Sequence, residues 1–284
     1  MIVAGDRRLH AQLRRLGETA RMVFVAGLPG MGKSLVIHQL THLAAAAGRS
    51  VHLLQWDVAR PVVETSATGR RYPIVDGVTH PVVRKAVGLW ARRAVARWQR
   101  QWGVSHLLVG ETPLVGGRLS ELAHVAADEA ESILAAPSCR FALPIPSPPV
   151  RQVLESERER RMAAPLHPRE REDAPPHVLR DLWSHLVGLA PALGIPLAAP
   201  SPETPYDATF YRHVYETVLR HRHVEVVALD TVLPTAAFSV YDFATARVDL
   251  VPSPEEAEAL VLEVEARHPD GTELAGAVER WWAS

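Results

Sequence analysis

The chain alternates between short apolar runs and longer segments in which apolar residues recur every three or four positions. Five apolar runs have the length of buried strands: residues 22–26, 51–56, 106–109, 139–143 and 224–229. The periodic segments predict helices at residues 6–17, 35–47, 82–102, 119–135, 176–190 and 206–221. A further helix begins at Pro254, because Ser253 and Glu256 form a helix-start signature around it. Residues 60–81 are rich in proline and glycine, which predicts a stretch that is mostly loop.

This order of elements is typical of a parallel sheet covered by helices. We therefore predict an α/β fold with a three-layer parallel sheet of about five strands, a helical lid and a helical C-terminal region. Residues 1–147 are expected to form the first half of the core. Residues 148–205 would form the lid or insertion with a proline-rich connector, and residues 206–284 would complete the core. Ligands of such sheets bind beyond the carboxyl ends of the strands.

Composition narrows the class of protein. The 284 residues are 47% hydrophobic, which is enough for a substantial core, and the formal net charge is −1. This charge indicates no general attraction to nucleic acid or to an acidic membrane. The one cysteine, Cys139, excludes an intrachain disulfide and a zinc site built of cysteines. We find neither a signal peptide nor an apolar stretch of about 18 residues, which predicts a cytoplasmic protein without a membrane partner.

The candidate chemistry begins at residues 27–34, where the sequence GLPGMGKS follows the first strand and precedes a helix. It fits the phosphate-binding pattern G-x-x-x-x-G-K-[S/T]. Glycines let the backbone approach a polyphosphate closely, and amides at the helix start point at it. Lys33 would add positive charge at the β- and γ-phosphates, and the Ser34 hydroxyl would hold magnesium. The predicted nucleotide-binding residues are Gly27, Leu28, Pro29, Gly30, Met31, Gly32, Lys33, Ser34 and Leu35.

Through this motif the chain resembles the P-loop NTPase and kinase superfamily, over about the first fifth of its length. The resemblance implies a P-loop on the parallel sheet, with ATP and Mg²⁺ as ligands. The chain contains no asparagine. The guanine-specificity motif Asn-Lys-x-Asp is therefore absent, which argues against a Ras-like or translation-factor-like GTPase.

Asp57 follows the second strand, and Arg60 comes three residues later. This Asp-x-x-Arg is similar to the substrate-site motif of small-molecule P-loop kinases, such as shikimate-type and polynucleotide kinases. The resemblance implies that Asp57 orients or deprotonates an acceptor hydroxyl and that Arg60 binds an acidic or phosphate group of the acceptor. Read from the sequence alone, an aspartate at a strand end is also a common cap of the next turn.

Glu111 ends the third predicted strand, where most P-loop relatives have an aspartate that touches magnesium, often through water. The resemblance makes Glu111 a metal-site candidate beside Ser34. The sequence LLVGE leaves open whether Glu111 binds metal, activates the acceptor or holds the loop.

The charged segment at residues 151–173 lies where P-loop kinases carry lid arginines that close over the transferred phosphate. Arg151 and Arg158 are two helical turns apart, and we take them as the candidate lid residues. Guanidinium groups suit this task because they grip phosphate oxygens at two points. The alternative is a solvated helix face held by ion pairs four residues apart.

Together these residues predict an ATP-dependent kinase whose catalytic residues are Lys33, Asp57, Arg60, Glu111, Arg151 and Arg158. The unidentified acceptor would be a small molecule or a nucleoside or nucleotide, with long nucleic acid less favoured at this net charge. The alternative is a P-loop ATPase acting as a nucleotide-dependent switch on a protein partner, although the LSGGQ signature and a sensor asparagine are absent. A degenerate loop used only for binding is less favoured because Lys33 and Ser34 are both present. The oligomeric state is left open.

Overall fold

A computed structural model describes residues 2–197, 201, 203–234, 239 and 246–283. Its centre is a six-stranded parallel sheet in the order β5-β4-β1-β3-β2-β6. The strands are β1 (Met22–Ala26), β2 (Ser50–Gln55), β3 (His106–Thr112), β4 (Cys139–Pro146), β5 (Val224–Leu229) and β6 (Arg247–Leu250). The predicted α/β class and parallel sheet are confirmed, but the sheet has one strand more than expected. β6 was missed because this short edge strand places two charged residues among its four and has no apolar run.

Helices cover both faces of the sheet. They are α1 (Arg7–Thr19), α2 (Lys33–Ala46), α3 (Trp56–Thr65), α4 (Pro81–Gln101), α5 (Glu129–Leu134), α6 (Pro148–Ala163), α7 (Pro176–Gly188), α8 (Ala190–Leu193), α9 (Ala208–Val218), α10 (Pro254–Arg267) and α11 (Gly271–Glu279). One buried cluster joins α1 and α2 to the sheet, and the other joins α3, α4, α5, α9 and α10 to its opposite face. The predicted three-layer arrangement is therefore present.

The central strand β1 is continuously apolar in sequence because it is buried on both faces of the sheet. Met22 and Phe24 belong to the cluster on one face, whereas Val23 and Val25 belong to the cluster on the other. A strand buried on both faces loses the alternation that a half-exposed strand shows. The Phe24 ring also fills the space above Gly110 of β3, where an added Cβ would lie 2.3 Å from it.

The prediction that residues 60–81 are mostly loop was wrong over its first part. The chain forms α3 and a 3₁₀ turn at Gly69–Arg71. Trp56, Ala59 and Val63 are buried at helical spacing against the core, and this burial outweighs the disruption by Pro61 within the helix.

The predicted helix at residues 119–135 is also mostly absent. In its place are a 3₁₀ turn at Ser120–Leu122 and the short α5, and another 3₁₀ turn at Val115–Gly117 comes just before it. Leu119 has a positive φ of 61°, as do Leu114, Gly116 and Gly117 before it, and a backbone of this kind cannot enter an α-helix.

The predicted lid segment at residues 148–205 is helical in its described part. It contains α6, a 3₁₀ turn at Pro168–Glu172, α7 and α8, while part of the predicted proline-rich connector lies outside the described residues. Trp183, Leu186 and Val187 of α7 belong to the same buried cluster as the sheet. Across the described ranges, no helix combines the length and the apolar character needed to cross a membrane.

Candidate functional site

A cavity of about 550 Å³ opens at the carboxyl ends of the central strands. Its walls come from the residues that follow or end three adjacent strands, among them Gly32, Ser34, Asp57, Glu111 and Pro113. The connection after β1 runs over one face of the sheet through α2, and the connection after β3 runs over the other through α5. The cavity therefore lies where the direction of the connections reverses, which is where ligands of open α/β sheets bind.

The loop at residues 27–34 adopts a conformation that needs its glycines. Gly27, Gly30 and Gly32 have φ values of 132°, 75° and 82°, which side chains disfavour. At Gly27 there is no space either, because an added Cβ would lie 2.3 Å from the Tyr211 hydroxyl. The glycines let the loop turn tightly around the N-terminus of α2.

Contacts behind the loop hold this conformation. The Leu28 amide donates a hydrogen bond to Oη of the fully buried Tyr211, at 3.2 Å. Nη1 of Arg151 donates to the Gly30 carbonyl oxygen at 3.0 Å. The side chains of Leu28 and Met31 lie in the hydrophobic core, so only their backbone atoms can contact a ligand. The predicted binding loop is thus anchored from outside the cavity.

Arg151 lies behind the loop and does not line the cavity. Its side chain is 5% exposed and pairs with Glu155 at 2.7 Å. This placement puts the guanidinium against the Gly30 carbonyl behind the loop, and the catalytic role that the sequence predicted for Arg151 stays a prediction.

Lys33 is the first residue of α2, and its side chain lines the cavity with 5% of its surface exposed. Nζ lies 3.0 Å from the Leu28 carbonyl oxygen and 3.5 Å from Oε1 of Glu111 at the end of β3. Burial lowers the pKa of Lys33, and the neighbouring Glu111 carboxylate opposes that shift. The Ser34 hydroxyl faces the same cavity and makes no hydrogen bond to a described residue.

Asp57 and Arg60 line the cavity from the first turns of α3, so the structure brings this predicted pair to the site. The Asp57 carboxylate is exposed and makes no hydrogen bond or ion pair with the described residues. Arg60 pairs with Glu64 at 2.7 Å. The alternative that Asp57 caps the turn has no hydrogen bond to support it.

The charged segment closes the cavity from the side of α6. Arg158 lines the cavity and donates to the Ala174 carbonyl oxygen, at 3.3 Å, and pairs with Asp173 at 3.2 Å. Arg161 pairs with Glu170 at 2.7 Å. Ion pairs four residues apart, the alternative that the sequence left open, are present at Arg151–Glu155 and Arg161–Glu157. The pairs with Asp173 and Glu170 instead join α6 to the segment that follows it.

Arg118 is a cavity residue that sequence reasoning missed. It follows the 3₁₀ turn after β3, and only the preceding Gly116-Gly117 pair marked that turn in the sequence. Burial lowers the pKa of Arg118, and the Asp57 carboxylate opposes the shift. Within the described ranges, its guanidinium makes no hydrogen bond or ion pair.

The site could hold magnesium only together with a bound ligand that supplies further oxygen atoms. The described residues contain no group of three histidine, cysteine or acidic side chains that could enclose a metal. Mg²⁺ commonly takes one or two protein oxygens and completes its shell with phosphate oxygens and water. The Ser34 hydroxyl and the Glu111 carboxylate are the oxygens that could serve here.

Comparison of the chain with protein-family models, curated proteins and solved structures finds no match. What the cavity can bind therefore follows from its own residues. Its lining combines the glycine loop, the buried Lys33 side chain and Ser34 with the Asp57 carboxylate and several guanidinium groups.

Proposed function

We propose that the chain is an ATP- and magnesium-dependent phosphotransferase of the P-loop type. It would move the γ-phosphate of ATP to a hydroxyl or phosphate of a small molecule, nucleoside or nucleotide. The observation that carries this proposal is a cavity with two chemically different sides. A loop suited to a polyphosphate lines the same cavity of about 550 Å³ as arginines and an aspartate without a hydrogen-bond or ion-pair partner among the described residues.

The loop side supports binding of the phosphate donor. Three glycines with positive φ place backbone amides around the start of α2, where the helix dipole also favours an anion. Lys33 is held at the base of the loop by Leu28 and Glu111, so its charge is positioned before a ligand arrives. Bound magnesium, held by Ser34 and Glu111, would neutralise charge on the phosphate oxygens.

The opposite side supports an acceptor. An exposed carboxylate without a partner can take the proton of an acceptor hydroxyl or orient that hydroxyl toward the γ-phosphate. Arg60 and Arg158 add positive charge around the path of the transferred group. Phosphoryl transfer depends mainly on such positioning and charge stabilisation.

The rim of the cavity supports transfer over hydrolysis. Ile74 and Gly77 line it from a tight hairpin, and Leu154 and Arg158 line it from α6. Elements on both sides can exclude water, which would otherwise take the phosphoryl group. The space that these elements border beyond the loop favours a kinase over a switch ATPase.

The test compares Lys33→Ala with Asp57→Asn. Lys33→Ala should lower nucleotide-dependent turnover by about 100-fold or more, since a buried charge at the phosphates is removed. Asp57→Asn should leave the Kd for MgATP unchanged and lower transfer by about 100-fold, as expected for loss of a general base. Asp249→Asn, an exposed change on β6, serves as the control and should match the parent.

The measurements are MgATP binding by calorimetry, phosphate release without acceptor, and phosphoryl transfer to an acceptor library. Rapid phosphate release without acceptor would favour the ATPase alternative. Parent-like transfer by Asp57→Asn would show that the acceptor side is assigned wrongly.

A further inference from the structure

The cavity walls carry five basic side chains, and four of them are engaged. Lys33 contacts Glu111, Arg60 contacts Glu64, Arg158 contacts Asp173, and Arg161 contacts Glu170. Arg118 alone makes no hydrogen bond or ion pair in the part of the chain that the structure describes. Among the acidic residues lining the cavity, Asp57 likewise makes no hydrogen bond or ion pair with a described residue. The cavity therefore holds one open guanidinium and one open carboxylate.

The backbone that carries Arg118 is fixed on both sides. Its carbonyl oxygen accepts a hydrogen bond from the Leu114 amide at 2.9 Å. Leu114 and Leu119 are buried and take positive φ values, which leucine adopts only when its surroundings impose them. At Gly117, an added Cβ would lie 2.6 Å from the Val278 side chain, so the turn packs tightly against α11.

A second arginine braces the same turn. Arg84 of α4 donates to the Gly116 carbonyl oxygen at 2.9 Å and to the Thr79 carbonyl oxygen at 2.7 Å, and it pairs with Glu279. Arg84 thus ties the turn to the cavity rim and to α11. A guanidinium presented from so constrained a turn loses little conformational freedom of its backbone when it binds a ligand.

We infer that Arg118 is the specificity-determining residue for an acceptor that carries an anionic oxygen group, a carboxylate or a phosphate, in addition to its reacting hydroxyl. A guanidinium matches such a group through two parallel hydrogen bonds. Asp57 would face the hydroxyl while Arg118 holds the anion, so the two open side chains receive the two ends of one small molecule. This inference names the substrate class of the proposed phosphotransferase and rests on that function.

The test measures anion binding directly. Inorganic phosphate, malonate and neutral glycerol are titrated calorimetrically into the Lys33→Ala protein, in which the loop is disabled, and into the double variant with Arg118→Gln. The parent is titrated in the same way with a non-hydrolysable ATP analogue and Mg²⁺ present. Phosphate or malonate should bind with one site, and Arg118→Gln should weaken it by about tenfold or more. Arg118→Lys should recover part of the affinity, and glycerol should not bind.

Two controls guard against trivial outcomes. Arg14→Gln removes one positive charge from an exposed part of α1 and should leave anion binding unchanged. Thermal unfolding should show that Arg118→Gln folds, since the guanidinium makes no hydrogen bond or ion pair with a described residue and the variant loses only its attraction to the Asp57 carboxylate. Binding of phosphate but not malonate would assign a phosphorylated acceptor, and the reverse a carboxylated one.

Absence of anion binding, or equal binding by Arg118→Gln, would overturn the inference. Failure of the proposed function has a different signature: the ATP analogue would not bind, while anion binding through Arg118 would persist.

Discussion

At the scale of single residues, the proposed binding loop at residues 27–34 is held by side chains that do not line the cavity. Tyr211 is the clearest case, because its buried hydroxyl accepts the hydrogen bond of the Leu28 amide and fills the space beside Gly27. An amide that loses such a buried partner is left unsatisfied, and the peptide can rotate.

Tyr211→Phe should therefore lower the free energy of unfolding by about 1–2 kcal/mol and weaken MgATP binding. Tyr206→Phe is the matched control, since this hydroxyl donates to the Pro146 carbonyl oxygen at 2.9 Å and does not contact the loop. The control should lose comparable stability and keep the parent's Kd. Denaturant unfolding and calorimetry measure both quantities, and an unchanged Kd for Tyr211→Phe would contradict a role in shaping the loop.

Sequence reasoning reached the residues whose roles are local. Lys33 and Ser34 end the glycine loop after β1, Asp57 lies just after β2, and the structure brings the three residues to one cavity. Tyr211 lies 183 positions from Leu28, and Arg118 lies on a turn without a regular pattern. Partners that far apart in the chain meet only through the sheet topology, so no local spacing could have revealed them.

At the scale of elements, α6 contacts the proposed binding loop. Its buried Arg151 reaches the Gly30 carbonyl oxygen, and its Arg158 reaches the cavity. A movement of α6 would therefore displace the Gly30 carbonyl of the loop, and a ligand bound at the loop would in turn shift α6 at the cavity rim.

Arg151→Met should weaken MgATP binding by about tenfold, because the Gly30 carbonyl loses a charged donor and the peptide is freed. Arg160→Met, on the same helix with a 53% exposed side chain, should behave as the parent. Calorimetry with both variants checks the prediction, and parent-like affinity in Arg151→Met would show that α6 is not coupled to the loop.

The elements themselves were predictable where burial follows the local pattern. The five apolar runs became strands, and the helix-start signature at Ser253 forms a complete capping box in α10. α3 could not be predicted because its burial outweighs the proline within it. The turns after β3 could not be predicted because tertiary packing imposes positive φ values there.

At the scale of the whole molecule, the sheet buries titratable groups that make the fold sensitive to acid. Burial lowers the pKa of His38 on α2 to about 4, and the positive charge of Arg247 adds to the shift. Burial and the nearby His106 lower the pKa of His52 in the same direction. A histidine that stays neutral in the fold but binds a proton when unfolded favours unfolding as the pH falls.

The stability that neutral His38 contributes should be fully present above about pH 6.5 and lost progressively as the pH falls toward 4. The loss should reach about 2 kcal/mol at pH 5. His38→Gln should therefore show a smaller loss of stability between pH 7.5 and pH 5 than the parent. His213→Gln, an exposed change, should keep the parent's dependence. Urea unfolding measures the free energy of unfolding at the two pH values. An equal change with pH for His38→Gln and the parent would contradict the assignment of this acid sensitivity to His38.

The whole arrangement places the proposed polyphosphate site at the point where the connections of the sheet reverse. The most direct test is calorimetric titration of the intact chain with MgATP, with Lys33→Ala as the comparison. We predict saturable binding at one site per chain that Lys33→Ala weakens severely. A parent protein that takes up no MgATP, or a Lys33→Ala variant that binds it equally well, would contradict the account.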